Sequence, residues 1–324
     1  MTWPITFLPL IVVLQGILLF SISPLLAGFE SWIAARLQGR PRSLRYVVQP
    51  YRDLKNLFTI DPVRPKTASW LFIATPPMLF VISFLLLFTL PWGILPPLLA
   101  MDLILLAYLL GLHRFLLSLA GLDGATPFGA LGGGRAMFMN FVIEVNFFLF
   151  VIALLLPQPA PLASPLSEII HQHAAWNWGI FSEPALLLLA VVLGMLILYE
   201  LERIPVGDPT SHLELTMGEK AITLAWQGRD LAWIKLAEMM KLTFFIALFI
   251  DLFLPGVWPL PSHAPHPTLW AAFLFFPKLF LVTFIMTSIS TTRAKLRLTR
   301  ISGPAFFAGA LSLLSIVFTI TKGM

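Results

Sequence analysis

The sequence predicts an all-α polytopic membrane protein, with eight transmembrane helices in a single membrane domain over residues 1–324. Three observations predict it. Hydrophobic residues fill 58% of the 324 positions and charged ones only 11%, against roughly 25% charged residues in soluble domains. Apolar runs of the ~20 residues needed to cross ~30 Å of hydrocarbon recur along the chain. The Lys and Arg residues gather in alternate connections between those runs.

Taken in order, the expected spans are 4–29, 70–91, 94–119, 137–156, 184–203, 233–254, 268–289 and 303–321. The first is too long for a signal h-region and has no Lys or Arg before it, so it is expected as a retained anchor. The connection 34–69 carries eight Lys/Arg, including Arg64 and Lys66. Residues 120–136 carry Arg135, 204–232 carry Lys220 and Arg229, and 290–302 carry four more. The alternating connections 92–93, 157–183 and 255–267 carry none. Lys/Arg-rich loops stay cytoplasmic, so an even number of spans puts both termini on the extracytoplasmic face. That topology accounts for the formal net charge of +5, and nucleic-acid binding is not needed to explain it.

Three inner segments hold most of the polar residues. In "RLQGRPRSLRYVVQPYRDLKNLF", Arg36, Arg40, Arg42, Arg45, Arg52, Asp53 and Lys55 form a candidate docking surface. The plainer reading is a basic stripe on anionic lipid, worth ~1 kcal/mol per charge. In "GLDGATPFGALGGGR" the glycines are expected to permit a tight re-entrant turn that Asp123 and Arg135 close as a pair. The run is not a phosphate-binding loop, because no Lys-Ser/Thr follows at the required spacing. In "ELERIPVGDPTSHLELT", Glu200 and Arg203 are spaced to pair on one helix face. Pro205 and Pro209 then stop the helix, which leaves Asp208, His212 and Glu214 to line a crevice below the bilayer.

Charges also fall inside the apolar runs. Glu144 sits mid-span in "FVIEVNFF", where a carboxyl costs at least ~2.5 kcal/mol unless it faces protein or water. Lys235, Glu238 and Lys241 form an i, i+3, i+6 row, followed by Asp251. Lys278 lies in the next span. Asp102 and Arg114, near span ends, are expected to snorkel or to pair structurally. Shared across several spans, such groups predict a hydrated polar axis. Glu144, Glu200, Glu214, Asp208, His212, Glu238, Lys241 and Asp251 are the candidate proton route. His113 is the only in-span histidine, which argues against bis-histidine haem. With no cysteine in the chain, cysteine-ligated clusters are excluded. His171, His173, His263 and His266 lack accompanying carboxylates, so no metal site is expected.

On the motifs "GLDGATPFGALGGGR", "FVIEVNFFL" and "ELERIPVGDPTSHLELT", the chain resembles the membrane subunit that joins the two arms of respiratory complex I (the subunit 1 family). "YRDLKNLF" and "RIPV..PT.HLELTM" are most similar to its counterpart in group 4 energy-converting hydrogenases and formate hydrogenlyase-type complexes. The resemblance implies a multi-pass subunit of a prokaryotic cytoplasmic membrane, with no redox centre of its own. It implies partners: peripheral hydrogenase- or dehydrogenase-like and iron–sulfur subunits, and antiporter-like membrane subunits. Iron–sulfur clusters and a NiFe centre would then belong to those partners. Asp123, Arg135, Glu144, Glu200, Arg203 and Glu214 match family positions. Val206 and Gly207 replace the Phe-Asp of complex I, Thr210 and His212 replace acids, and Ala136 replaces the acid after the loop arginine. These departures weigh against quinone reduction and favour the hydrogenase-type assembly, in which redox change in the docked arm drives translocation of protons or sodium ions.

Two rivals remain. A stand-alone secondary transporter would use the same polar axis to bind a solute. A membrane-embedded transferase using Asp123 or His212 would need a nucleophile–base motif that is not visible in the chain.

Overall fold

The computed structural model describes residues 8–90, 101–156, 166, 168–170, 184–203, 218–254, 267–292 and 302–323. The elements are helices: α1 Leu8–Leu37, a 3-10 turn Leu44–Val48, α2 Gln49–Thr59, α3 Trp70–Leu87, α4 Leu103–Asp123, α5 Pro127–Leu155, α6 Pro184–Glu200, α7 Glu219–Thr223, α8 Gly228–Phe253, α9 Pro267–Thr292 and α10 Ser302–Gly323. Six of these, α1, α3, α4, α5, α9 and α10, contain stretches long and apolar enough to cross a membrane. α6 is apolar but has only 17 residues. α8 has 26 residues and carries Asp230, Lys235, Glu238, Lys241 and Asp251 along its length. The outer helices present large apolar side chains to their surroundings, with Phe306 79% exposed and Phe141 67% exposed. A multi-pass membrane protein needs such surfaces; a soluble one rarely has them.

α8 is the centre of the bundle. It packs against α1, α2, α3, α6 and α9, and its residues 240 to 248 are buried without interruption. Its start is pinned from the basic connection. Arg64 forks onto Asp230 (Nε–Oδ2 2.8 Å, Nη2–Oδ1 3.1 Å), and Arg229 donates to Asp61 at 2.6 Å. Gly228 has φ +58°, and a Cβ there would lie 2.5 Å from the Ile60 carbonyl oxygen. Only glycine lets the two chain segments meet so closely.

Capping explains several helix starts. Ser69 Oγ accepts from the Leu71 amide, Asp102 Oδ1 from the Leu105 amide, and Thr126 Oγ1 from the Gly129 amide with Pro127 next to it. Such side chains satisfy amides that have no partner within the helix. Pro76 and Pro77 lie inside α3. Pro76 cannot donate to the Phe72 carbonyl four residues earlier; Trp226 Nε1 donates to that oxygen instead, at 3.4 Å. The Trp226 ring also stacks on Phe72 with centroids 4.5 Å apart.

The helices depart from the expected spans in an informative way. α1 continues past residue 29 to Leu37, and α5 begins at Pro127 rather than 137. Glu30 and Arg135, just outside the expected spans, are accommodated within these helices. The glycine-rich run is corrected most clearly. Gly129, Gly132, Gly133 and Gly134 belong to α5, not to a re-entrant turn. Their lack of side chains allows close helix packing: a Cβ on Gly129 would lie 2.6 Å from the Gly121 oxygen, and one on Gly132 would lie 2.9 Å from the Gly218 oxygen.

Candidate functional site

Ionisable side chains converge where α4, α6, α7 and α8 meet. α6 ends at Glu200, and Leu201 and Glu202 form the turn beyond it. Glu200 does not pair with Arg203, as their spacing suggests it should. Its Oε2 accepts from Arg114 Nη1 of α4 at 2.6 Å, with both side chains only 3% exposed. Lys241 of α8, equally buried, places its Nζ 3.6 Å from Glu200 Oε1 and 3.9 Å from Glu219 Oε2 of α7. Both distances exceed hydrogen-bonding range, so Lys241 is a cation held between two carboxylates and bonded to neither. Arg203 reaches back to α1 instead and donates to Glu30 Oε2 at 2.6 Å. Beside that pair lies a cavity of about 10 Å³, lined by Glu30, Arg203, Thr283 and Thr287 among others, which is room for about one water molecule.

Two acids extend the cluster beyond the end of α6. Glu202 Oε1 accepts from the Glu219 amide at 2.7 Å and so caps the start of α7. Glu202 itself has φ +49°, a left-handed conformation uncommon for a residue with a Cβ. Burial pushes the Glu202 carboxyl up to about 8, the neighbouring Glu219 adds to the shift, and its bond from the Glu219 amide opposes it. Glu219 is also raised, chiefly by burial; Lys241 opposes the shift and Glu200 reinforces it. A carboxyl held at about 8, as that of Glu202 is, binds and releases a proton near neutral pH. The lysine held between two acids completes a set of groups that can exchange protons.

The other expected residues fall in different places. Glu144 is half-buried on α5. A Cβ on Gly111 would lie 3.4 Å from Glu144 Oε1 and 4.0 Å from Arg114 Nη2, so the glycine leaves the acid and the arginine facing one small space. Glu238 is exposed on α8. Asp251 is buried, ten residues beyond Lys241 and therefore about 15 Å along the axis. It belongs to a separate locale, where Lys278 is the neighbouring cation. Asp123 does not close a loop: its Oδ2 accepts from the Ser69 amide at 3.0 Å, Ser69 Oγ at 2.7 Å and the Phe72 amide at 3.3 Å, reinforcing the cap of α3. Arg135 is half-buried on α5. Asp208, His212 and Glu214 lie outside the described residues, as do Val206, Gly207 and Thr210. Ala136, at a position where complex I has an acid, is buried in an apolar cluster with Leu117, Ala120, Ile222 and Trp226.

Arg36, Arg40, Arg45, Arg52, Asp53 and Lys55 are exposed. Arg42 is half-buried with its guanidinium 3.8 Å from the centre of the Tyr46 ring. Among the described residues no group of three or more His, Asp or Glu could hold a metal ion.

Sequence reasoning misses Glu202 and Glu219 as members of the cluster and Glu30 as the partner of Arg203; Arg114, expected to snorkel or to pair structurally, does pair, with Glu200. Arg114 stands near the end of its expected span, yet it lies fully inside α4. For Glu202 the available signal is its place in "ELER", two residues after Glu200. Glu30 and Glu219 give no local sign of their partners, which are 173 and 22 residues away in sequence.

The NADH dehydrogenase family profile matches residues 9–320. Hydrogenase-4 component C of Escherichia coli (strain K12) is 30% identical over 243 residues, covering 74% of each chain. Formate hydrogenlyase subunit 4 of the same organism is 24% identical over 290 residues, 88% of this chain and 90% of that one. An NADH-quinone oxidoreductase subunit of Flavobacterium johnsoniae is 25% identical over 196 residues, 54% of this chain and 55% of the relative. A chain in the structure of the membrane-bound sulfane sulfur reductase, an archaeal respiratory membrane complex, shares the fold. Its TM-score is 0.80 at 19% identity, over 96% of this chain and 99% of that chain.

Proposed function

This chain belongs to the NADH dehydrogenase family, and we propose that it is a membrane-arm subunit of a complex I-like, hydrogenase-type oxidoreductase. In this reading it anchors a peripheral iron–sulfur arm and couples the arm's redox reaction to translocation of protons, with sodium as the alternative ion. Its eight spans form one membrane domain, the two beyond the six apolar helices being α6 and the charged α8, and both termini lie on the extracytoplasmic side of a prokaryotic cytoplasmic membrane. The exposed arginines and lysine between residues 36 and 55 provide the docking surface. Antiporter-like subunits receive the ions within the membrane. Clusters and any NiFe centre reside in the partners.

The observation that carries this reading is the placement of Lys241 between Glu200 and Glu219, out of hydrogen-bonding range of both. A purely structural charge in a dry interior would close onto its partner to offset its desolvation. A lysine left between two acids can shift toward either one as their protonation changes. We assign the entry of protons to Glu202 and Glu219 and their onward passage to Lys241, Glu200 and Glu144. The hydrogenase-type assignment is supported by the relatives: the matches to hydrogenase-4 component C and formate hydrogenlyase subunit 4 span 74% and 88% of this chain, the match to the quinone oxidoreductase subunit 54%.

The test is purification of the tagged chain from its native membrane under mild detergent. Iron–sulfur and antiporter-like subunits should co-purify in fixed stoichiometry. A chain that purifies alone and by itself moves a solute across proteoliposome membranes would establish the transporter reading instead.

A further inference from the structure

The outer face that α4 and α5 make together is apolar and exposed. On α4, Leu105, Tyr108, Leu112 and Phe115 are exposed at i, i+3, i+7 and i+10. On α5, Phe138, Phe141 and Val145 are exposed at the same alternation of three and four. That spacing sets side chains in one row along a helix. The two rows adjoin, because α4 packs against α5 and the Tyr108 ring meets Phe148 of α5 edge to face, with centroids 5.8 Å apart. An apolar face of this kind contacts lipid or another membrane helix.

A carboxylate sits between the rows. Glu144 is half-buried on α5, three residues after Phe141 and directly before Val145. Across from it is Gly111 of α4, where a Cβ would lie 3.4 Å from Glu144 Oε1. Gly111 is about 12 Å from the start of α4 and about 18 Å from its end, so the acid lies near the middle of the span. Among the described residues Glu144 makes no hydrogen bond and no ion pair; the guanidinium of Arg114 behind it is bonded to Glu200. An acid at the centre of a bilayer is costly, and such groups face protein or water and are paired. The contrast is α10, which exposes Phe306, Leu313 and Val317 and has no ionisable residue between 303 and 321. That face suits lipid. The α4–α5 face does not.

We propose that the α4–α5 face is the docking surface for a transmembrane helix of a partner subunit, and that this helix presents a hydrogen-bond donor to Glu144. Lipid tails offer no donor. Helices within a bilayer associate through close packing and through hydrogen bonds across the contact, since burial from lipid brings no hydrophobic gain. The face provides for both. Its rows, spaced by three and four, accept a helix crossing at about 20°, and Glu144 is an acceptor in the groove between them. The matching segment carries its donor at the depth of Gly111, with apolar residues above and below, and a cation is the best complement in charge. The inference rests on the reading, proposed above, of this chain as one subunit of a larger membrane complex, so the helix belongs to a different chain.

The test keeps the complex whole in its native membrane. The photoreactive residue p-benzoylphenylalanine replaces Leu112 or Phe141 of the tagged chain, or Phe306 as the lipid-facing reference, and the membranes are irradiated. Sites 112 and 141 should both cross-link to the same partner subunit, in much higher yield than site 306. Mass spectrometry should place the adduct in an apolar segment with a donor side chain within one helical turn. Adducts with lipid alone or with a second copy of this chain would overturn the assignment, as would a segment without a donor or an equal yield from site 306. Glu144→Leu should lower the amount of that subunit retained on the tagged chain in mild detergent about threefold, while Glu144→Gln, which still accepts a hydrogen bond, stays near the wild type. Full retention in Glu144→Leu would overturn the pairing. Should Glu144→Leu fail to accumulate, the cross-links decide alone. The reading on which the inference rests fails separately: a tagged chain that brings down no membrane subunit refutes that reading, whereas a subunit that co-purifies but is cross-linked from neither 112 nor 141 overturns only the docking face.

Discussion

Removing Arg114 tests whether the centre of the cluster is held by the pair it forms with Glu200. In Arg114→Met the side-chain volume is nearly kept while the 2.6 Å bond to Glu200 Oε2 is lost. Breaking a buried ion pair by deleting one partner costs about 3–5 kcal/mol. Lys241 remains 3.6 Å from Glu200 Oε1 and offsets part of the loss, so the expected destabilisation is at the lower bound, about 3 kcal/mol. Glu200→Gln should also destabilise, since it strands the guanidinium. The double variant Arg114→Met/Glu200→Gln removes both charges, and its cost should fall short of the sum of the single costs by about 1–3 kcal/mol. Equilibrium unfolding in mixed micelles, with the four proteins measured side by side, gives the cycle. Additivity within about 0.5 kcal/mol would refute the reasoning, as would a loss below about 1 kcal/mol in Arg114→Met.

Two further expectations concern other parts of the fold. Gly132→Val forces a Cβ to within 2.9 Å of the Gly218 oxygen and 3.0 Å of Ala221 Cβ, and should cost about 1–3 kcal/mol in the same unfolding assay. Gly134→Ala, on the same helix but with nothing within 4 Å, should stabilise by about 0.5–1 kcal/mol. For Glu202, the folded-state value of about 8 lies above the ordinary 4.5, so the folded protein holds the extra proton between these limits. Stability should therefore fall as pH rises from about 5 to about 8, and Glu202→Gln should flatten that slope; a slope of opposite sign, or one unchanged by the substitution, would contradict the assignment.

The sequence conveys membrane character and charge-bearing helices because both depend on local composition and spacing. Apolar runs announce α3, α9 and α10 closely, and the row Lys235, Glu238, Lys241 does lie on one helix. Which charges meet is not legible in the same way. Glu200 and Arg203 have the spacing of an intrahelical pair, but α6 ends at Glu200, and each residue finds a partner on another helix. Such partners depend on how helices cross, and no short window of sequence records that. The glycine run misleads for a related reason: glycine serves equally in a turn and in a helix that must approach a neighbour, and only the presence of Gly121, Gly218 and Ala221 opposite decides which. Asp123, likewise, caps a helix whose start is 54 residues earlier in the chain.

The measurement that bears most directly on the central claim is the ratio of protons moved to electrons transferred by the intact complex carrying Glu200→Gln, in sealed proteoliposomes beside the wild type. Loss of translocation with the subunits still assembled and electron transfer continuing is the predicted result. A wild-type ratio in that variant would contradict the claim that the buried cluster carries the protons.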